Sequence, residues 1–263
     1  MRNSKILAKI RAGKSAKIAM MGHFLPPFVA YAASLGYDGI WLDLEHRPMD
    51  SREIQAMLAY FHLYDIDCML RTPTREKGQL YRYLEDGATG LIVPHVSDVE
   101  SGRELVQKVK FPPLGDRGLE GRGLEANFGL DIPGTRDPLI EHALRETFLV
   151  LQIETPQALA AADEIAAIPG VDGLYIGPQD LRLRMLHVPE DERYTTEAAV
   201  ERIAAICARH SKAWGSLART IDELQQHAAL GSQLLVWGAD ARILQEGLTR
   251  ANGEIDTVIQ AGS

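Results

Sequence analysis

The stretch FLVLQIETPQALAAADEIAAIPGVDGLYIGP, Phe148–Pro178, decides the fold. It opens on an apolar run (148–154), continues through a helix-like segment ending at Gly170, and closes on a second apolar run (173–178). Both runs are too continuous for half-exposed antiparallel strands and read as strands buried on both faces. Two buried strands joined by a helix are the repeating unit of a parallel sheet.

The same alternation extends outward in both directions. Upstream lie KIAMMG (17–22), GIWLDLE (39–45), DCMLRTP (67–73) and GLIVPHV (90–96); downstream lie KAWGSL (212–217) and QLLVWG (233–238). Helix-like stretches such as SREIQAMLAYFHLYD and TTEAAVERIAAICARHS separate them, several ending at glycine as helix C-termini often do. Eight βα units predict a TIM (β/α)8 barrel over residues 1–263 as one domain, with an extra helix at the C-terminus. A doubly wound open sheet is the runner-up, because periodicity does not reveal strand order. Two regions break the spacing. Residues 111–147 form a long Gly- and Pro-rich insert of the kind that usually serves function or an interface, and the tail ARILQEGLTRANGEIDTVIQAGS reads as one more helix with a frayed end.

Composition narrows the function classes. Apolar residues make up 46% of the 263, ample for a core, and 36 acidic against 28 basic side chains give a formal charge of −8. That balance argues against a nucleic-acid surface. Cys68 and Cys207 are far apart and outside any CxxC, which suits reduced thiols in the cytoplasm. The basic N-terminus lacks the apolar run of a signal peptide, and no window reaches membrane-helix length. The chain therefore reads as a soluble cytoplasmic protein.

A barrel gathers chemistry at the C-terminal ends of its strands. Here the second run ends in Asp43, Glu45 and His46, the third in Arg71, the fifth in Gln152 and Glu154, and the sixth runs into GPQD with Asp180. Glu154 and Asp180, with Gln152 behind, suggest an oxygen-only site for Mg²⁺ or Mn²⁺, with Co²⁺ the next candidate, leaving room for water and a chelating substrate. The turn Gly177, Pro178, Gln179 opens a helix whose free N–H groups suit a substrate carboxylate. Each residue also has a plainer reading. Asp43 could cap the next helix, Arg71 could form a structural bridge with it, and His46 could be a surface histidine. Glu154 and Asp180 could be first-turn acids favoured by helix dipoles. His95 and His23 sit at strand ends as wall or support, and the other histidines join no constellation.

GYDGIWLDLEHRPMD, LRTP, LEDGATGLIVPHV, LQIETPQALAAADEIAAIPGVDGLYIGPQDL and GADARIL resemble, in order, the HpcH/HpaI aldolases, the metal-dependent pyruvate aldolases. The resemblance covers nearly the whole chain and is most specific in the QIET…GPQDL block. It implies a TIM barrel with a divalent metal held by Glu154 and Asp180, Arg71 neutralising the substrate oxygen, His46 as general base through a water, and Asp43 holding Arg71 or its loop. It also implies a carboxylate partner for the histidine, often reaching across a subunit boundary; LEDGA places Glu85 there, with Asp86 beside it. Trimers pairing into hexamers with an exchanged C-terminal helix are implied too, as are pyruvate and an aldehyde as substrates. The insert resembles the family's RG loop, so Arg117 and Arg122 are expected to read the far end of the acceptor.

Departures from the family pattern fall mainly on the acceptor half. Arg182 and Arg184 follow GPQDL, Met20, Met21 and Gly22 replace an aromatic-bearing first strand, and Arg47 stands where a small residue is usual. The leading expectation is reversible cleavage of a 4-hydroxy-2-oxo acid to pyruvate and an aldehyde. A citrate-lyase-β-like lyase acting on acyl-CoA thioesters, and a barrel that binds keto acid or metal without turnover, are the alternatives.

Overall fold

The computed structural model describes residues 1–261. After α1 (Lys5–Arg11) the chain runs β1 (Ala16–Met21), α2 (Pro26–Ser34), β2 (Gly39–Asp43), α3 (Ser51–Leu63), β3 (Asp67–Arg71), α4 (Lys77–Glu85), β4 (Gly90–Val96) and α5 (Val99–Val109). It continues with α6 (Asp137–Glu146), β5 (Phe148–Ile153), α7 (Pro156–Ala160), α8 (Ala162–Ala166), β6 (Gly173–Ile176) and α9 (Pro178–Met185). The last elements are α10 (Thr196–His210), β7 (Ala213–Leu217), α11 (Ile221–Ala229), β8 (Leu234–Ala239) and α12 (Asp240–Ala261). Every strand coincides with one of the apolar runs.

The strands pair in parallel and in chain order, and β8 returns to β1 with Ala16 opposite Leu234, closing a barrel. Closure excludes the open doubly wound sheet. The period of two sorts the residues. On β2, Ile40 and Leu42 face the helices while Trp41 faces the barrel interior; on β5, Leu149 and Leu151 face out while Phe148 and Val150 face in. Continuing the inward line one or two steps brings Asp43, Arg71, Gln152 and Glu154 to the upper mouth. The alternation that fills the core thus also delivers the polar residues.

The lower end is shut. Ile6 and Leu7 of α1 join the interior cluster, and Asp67 at the start of β3 accepts hydrogen bonds from Ser4 Oγ (2.6 Å) and Ile6 N–H (2.8 Å). The insert after α5 lies at this end, because it leads from a helix C-terminus to the start of β5. Arg117 is buried there, stacked on Phe111 and paired with Glu125 at 2.8 Å, and Arg122 is exposed. The expectation that both read the acceptor is therefore corrected for the chain's own mouth. Sequence order cannot tell whether a loop belongs to the top or the bottom until the helix count around it is fixed.

Of the final helix α12 only Asp240 is buried, and Ile243, Leu244, Leu248, Ile255, Val258 and Ile259 are exposed. Cys68 and Cys207 are free and buried. Among the described residues no helix is long and apolar enough to cross a membrane.

Candidate active site

The upper mouth holds a cavity of about 380 Å³, lined by Met20, Gly22, Trp41, Asp43, His46, Arg47, Arg71, Gln152, Tyr175, the turn Gly177–Asp180, Leu217, Arg219 and Asp240 among others. The sequence-predicted site residues lie on this wall or against it, except Glu85 and the two insert arginines, Arg117 and Arg122.

Asp43 is the hub. It is 2% exposed and accepts from Arg71 Nε (2.9 Å) and Nη2 (2.7 Å), and from the backbone N–H groups of Glu45 (3.1 Å) and His46 (3.3 Å). One carboxylate thus fixes both the guanidinium and the loop that carries the histidine. The helix after this loop is capped by Asp50, whose side chain accepts from Arg52 and Glu53 N–H in a capping box. Asp43 is therefore free of the capping role. Arg71 also stacks over Trp41 and pairs through Nη1 with Glu45 at 3.1 Å. Of the five guanidinium N–H groups, three face these carboxylates, leaving two for a ligand. Burial pushes the Glu45 pKa above the ordinary range, against the lowering pull of Arg71 and His46. The His46 side chain is 57% exposed, with Nε2 3.7 Å from Glu45 Oε2. It stands at the mouth with its ring largely unengaged.

Glu154 is 1% exposed, at the end of the inward line of β5. Thr155, not Glu154, caps α7, its hydroxyl accepting from Ala158 N–H. The carboxylate is instead turned into the barrel. Its Oε2 accepts from Gln152 Nε2 (2.5 Å), and its Oε1 accepts from the His95 backbone N–H (2.8 Å) and lies 2.7 Å from His95 Nδ1. A Cβ on Gly177 would come within 2.8 Å of both Gln152 Nε2 and Glu154 Oε2. Only glycine lets the β6–α9 turn close onto that carboxylate, and Asp180 follows three residues later. Arg184 bridges the two, donating to Glu154 O (2.9 Å) and pairing with Asp180 Oδ1 (3.3 Å). Asp180 is also a first-turn acid of α9, where the helix dipole favours its charge.

Among the described residues no three His, Cys, Asp or Glu side chains converge into a closed metal site. The donor set is the open kind: two carboxylates from neighbouring strand ends, all oxygen, beside a cavity with room for water and substrate. That chemistry fits a hard divalent cation. Three polar atoms of the cavity wall, Trp41 Nε1, Tyr175 Oη and Gln152 Oε1, are buried without a hydrogen-bond partner. Such groups are costly unless a ligand or water meets them.

Two contributors stood outside the sequence-based set. Asp240, where β8 ends, accepts from Gly22 and His23 N–H, both at 3.0 Å, and lies 2.9 Å from His23 Nδ1. Burial raises its pKa, but these hydrogen bonds bring it below the ordinary value. Its signal was present in GADARIL, at a strand end like the others. His95 is the second; its neighbours Glu45 and Glu154 lie 50 and 59 positions away along the chain. Glu85, by contrast, ends α4 at the lower end, with its backbone packed against Gly123. Burial raises its pKa, with Arg117 pulling the other way. Within one chain it does not reach His46.

The family model for HpcH/HpaI aldolase/citrate lyase matches residues 21–246. A relative from Roseovarius nubinhibens named hydroxypyruvate/pyruvate aldolase is 32% identical over 81% of this chain and 82% of its own. A 2-dehydro-3,6-dideoxy-6-sulfogluconate aldolase from Pseudomonas putida is 33% identical over 67% of this chain and 68% of its own. The crystal structure of an HpcH/HpaI aldolase from Desulfitobacterium hafniense superposes with a TM-score of 0.84 at 27% identity, covering 94% of this chain and 95% of that one.

Proposed function

The chain belongs to the HpcH/HpaI aldolase/citrate lyase family, and on that premise we propose that its upper mouth is the active site of a divalent-metal-dependent pyruvate aldolase. It is a carbon–carbon lyase that reversibly splits a 4-hydroxy-2-oxo acid into pyruvate and an aldehyde. The observation carrying this reading is the joint placement of Asp43, Arg71, His46, Gln152 and Asp180 around one cavity, with Glu154 buried against Gln152, as the sequence pattern requires of such an enzyme. The aldolase names of relatives spanning most of the chain support it over a thioester lyase.

Glu154 and Asp180 would hold the cation, Mg²⁺ or Mn²⁺ being the best suited and Co²⁺ the next. When bound it acts as a Lewis acid toward the keto acid, a contribution of several kcal/mol. The residues of the chain do the rest. The two N–H groups that Arg71 has left point their charge at the oxygen on which negative charge grows during enolate formation, and Asp43 holds that guanidinium in place. His46 moves the proton, from the methyl carbon of pyruvate in the condensing direction and from the 4-hydroxyl in cleavage, through a water. Gln152 and the turn Gly177, Pro178, Gln179 form the wall against which the 2-oxo acid lies. The buried faces of Trp41 and Tyr175 keep bulk water from the enolate.

The acceptor side is the half that Met20, Arg47 and Arg219 line. Arg47 donates to His46 O and makes no ion pair among the described residues. An aldehyde carrying an anionic group matches that charge.

The exposed apolar positions of α12 and the distance of Glu85 from its own mouth both point to a homotrimer or homohexamer. A second copy would cover α12, and its Glu85 would orient His46. The test is pyruvate release from a 4-hydroxy-2-oxo acid, followed with a coupled lactate dehydrogenase, after chelator treatment and re-addition of each metal. Metal-restored release supports the reading; release that ignores chelator and metal refutes it.

A further inference from the structure

β4 and β5 keep a regular register from Gly90 opposite Phe148 to Val93 opposite Leu151, and then the register shifts, with Val96 opposite Ile153. Three steps on β4 match two on β5, so β4 carries one extra residue in the Pro94–His95 segment. That is a bulge, a device that re-aims a side chain at a sheet end. His95 accordingly sits in the left-handed region at φ 58°, a conformation that costs a residue with a Cβ and is retained where something else holds it.

What holds it is a pair of carboxylates from two other strand ends. Nδ1 lies 2.7 Å from Glu154 Oε1, and Nε2 lies 3.0 Å from Glu45 Oε1. Glu45 Oε2 faces Arg71 at 3.1 Å and His46 at 3.7 Å. The ring therefore joins the loop of the general base to the buried carboxylate of the metal pair. Oε1 of Glu154 thus faces His95, while Oε2, which accepts from Gln152 Nε2, lies against the Gly177 turn that leads to Asp180.

We propose that His95 is a positioning residue that braces Glu154 for the cation and ties it to Glu45, so that the metal carboxylate and the base loop are set by one imidazole. This rests on the reading of Glu154 and Asp180 as the metal pair. His95 is not a third ligand, since both ring nitrogens already face carboxylates. Residues that orient a ligating carboxylate typically govern metal affinity by about ten- to hundredfold when removed.

The experiment is a Mn²⁺ titration of the full chain, followed by the EPR signal of free Mn²⁺, with melting temperatures in parallel. His95→Gly relieves the left-handed backbone and keeps the N–H that donates to Glu154, so only the ring is lost. It is expected to weaken Mn²⁺ affinity about ten- to hundredfold with the melting temperature unchanged or higher. His95→Asn accepts the left-handed conformation and sets an amide N–H near the place of Nδ1, so it should recover most of the affinity. Wild-type Mn²⁺ affinity in His95→Gly overturns the proposal. A melting temperature that falls with affinity in both variants also overturns it, since the ring would then be structural. Glu154→Gln separates the two levels. If it binds Mn²⁺ like wild type, the metal-site reading fails and takes the proposal with it. If it loses Mn²⁺ while His95→Gly does not, the proposal alone fails.

Discussion

Asp67 at the lower end of the barrel is as deeply buried as Glu154 at the upper end, 0% against 1% exposed. Asp67 is held by Ser4 Oγ and the backbone N–H of Ile6, under a helix whose Ile6 and Leu7 close the interior. Glu154 is held by the side chain of Gln152, which lines the open cavity, and by His95, whose own ring is half-exposed. One carboxylate is sealed by elements fixed at folding, the other by side chains a ligand can reach. Burial alone does not separate a stabilising charge from a working one; what its partners face does. In a TIM barrel that distinction follows the two ends of the strands.

The comparison breaks most sharply in a pair of substitutions. Glu154→Gln should lower pyruvate-releasing turnover by a factor on the order of 10³ or more, as loss of a metal carboxylate removes several kcal/mol of transition-state stabilisation. Its melting temperature should stay near that of wild type. Asp67→Asn should do the reverse, costing about 1–3 kcal/mol in a denaturant titration by unmaking buried hydrogen bonds, while turnover per folded molecule holds within about twofold. Turnover lost in stable Asp67→Asn protein would erase the division between the ends.

Arg71 straddles it. Arg71→Met should reduce turnover by about 10²-fold or more through the missing oxyanion donors. It should also cost about 3 kcal/mol, because Asp43 is left buried and unpaired. Adding Asp43→Asn should restore much of the stability and none of the turnover. Restored turnover would remove Arg71 from the chemistry.

A pH dependence of stability is written into the lower end through His62. Burial, with Arg2 adding, lowers the His62 pKa to about 4, and its Nε2 lies 3.2 Å from Gly87 O. The unfolded chain, titrating near 6.5, binds the proton first. Stability is therefore present above pH about 6.5 and lost as pH falls toward about 4, by about 1–2 kcal/mol after allowing for the ring's partial exposure. His62→Gln should flatten that slope in melting curves taken across the window; an unchanged slope would exclude His62 as its source.

The smallest effect is expected at Arg47. An exposed guanidinium contributes about 1 kcal/mol at most, so Arg47→Ala should reduce kcat/KM about fivefold for an aldehyde bearing a carboxylate, sulfonate or phosphate. A neutral aldehyde of similar size should be unaffected. Equal loss with both would show that Arg47 shapes the loop rather than reading charge.

The barrel was legible because its strands are buried on both faces, so GLYI and FLVLQI stand out as unbroken apolar runs. Asp43, Arg71, Gln152 and Glu154 were legible as polar breaks at the ends of such runs, and the period of two turns them inward. His95 was seen as a strand-end histidine, but its role depends on a one-residue bulge and on contacts with two distant strands. Arg117 matched a family loop, yet the fold spends it on Glu125 at the closed end. Glu85 illustrates the same limit, since the C-terminus of a barrel helix lies at the end opposite the strand terminus before it. The exposure of α12 was equally hidden, because its pattern, with apolar residues at 243, 244, 248, 255, 258 and 259, is also that of a helix packed on its own barrel.

The most direct measurement is deuterium exchange at the methyl group of pyruvate, read by NMR on protein stripped with chelator and then given Mg²⁺ or Mn²⁺. It needs no knowledge of the aldehyde. Exchange that appears only with the metal and vanishes in His46→Ala is the predicted result. Exchange absent with every divalent metal, or unchanged in His46→Ala, would contradict the account of the upper mouth as an enolate-forming site.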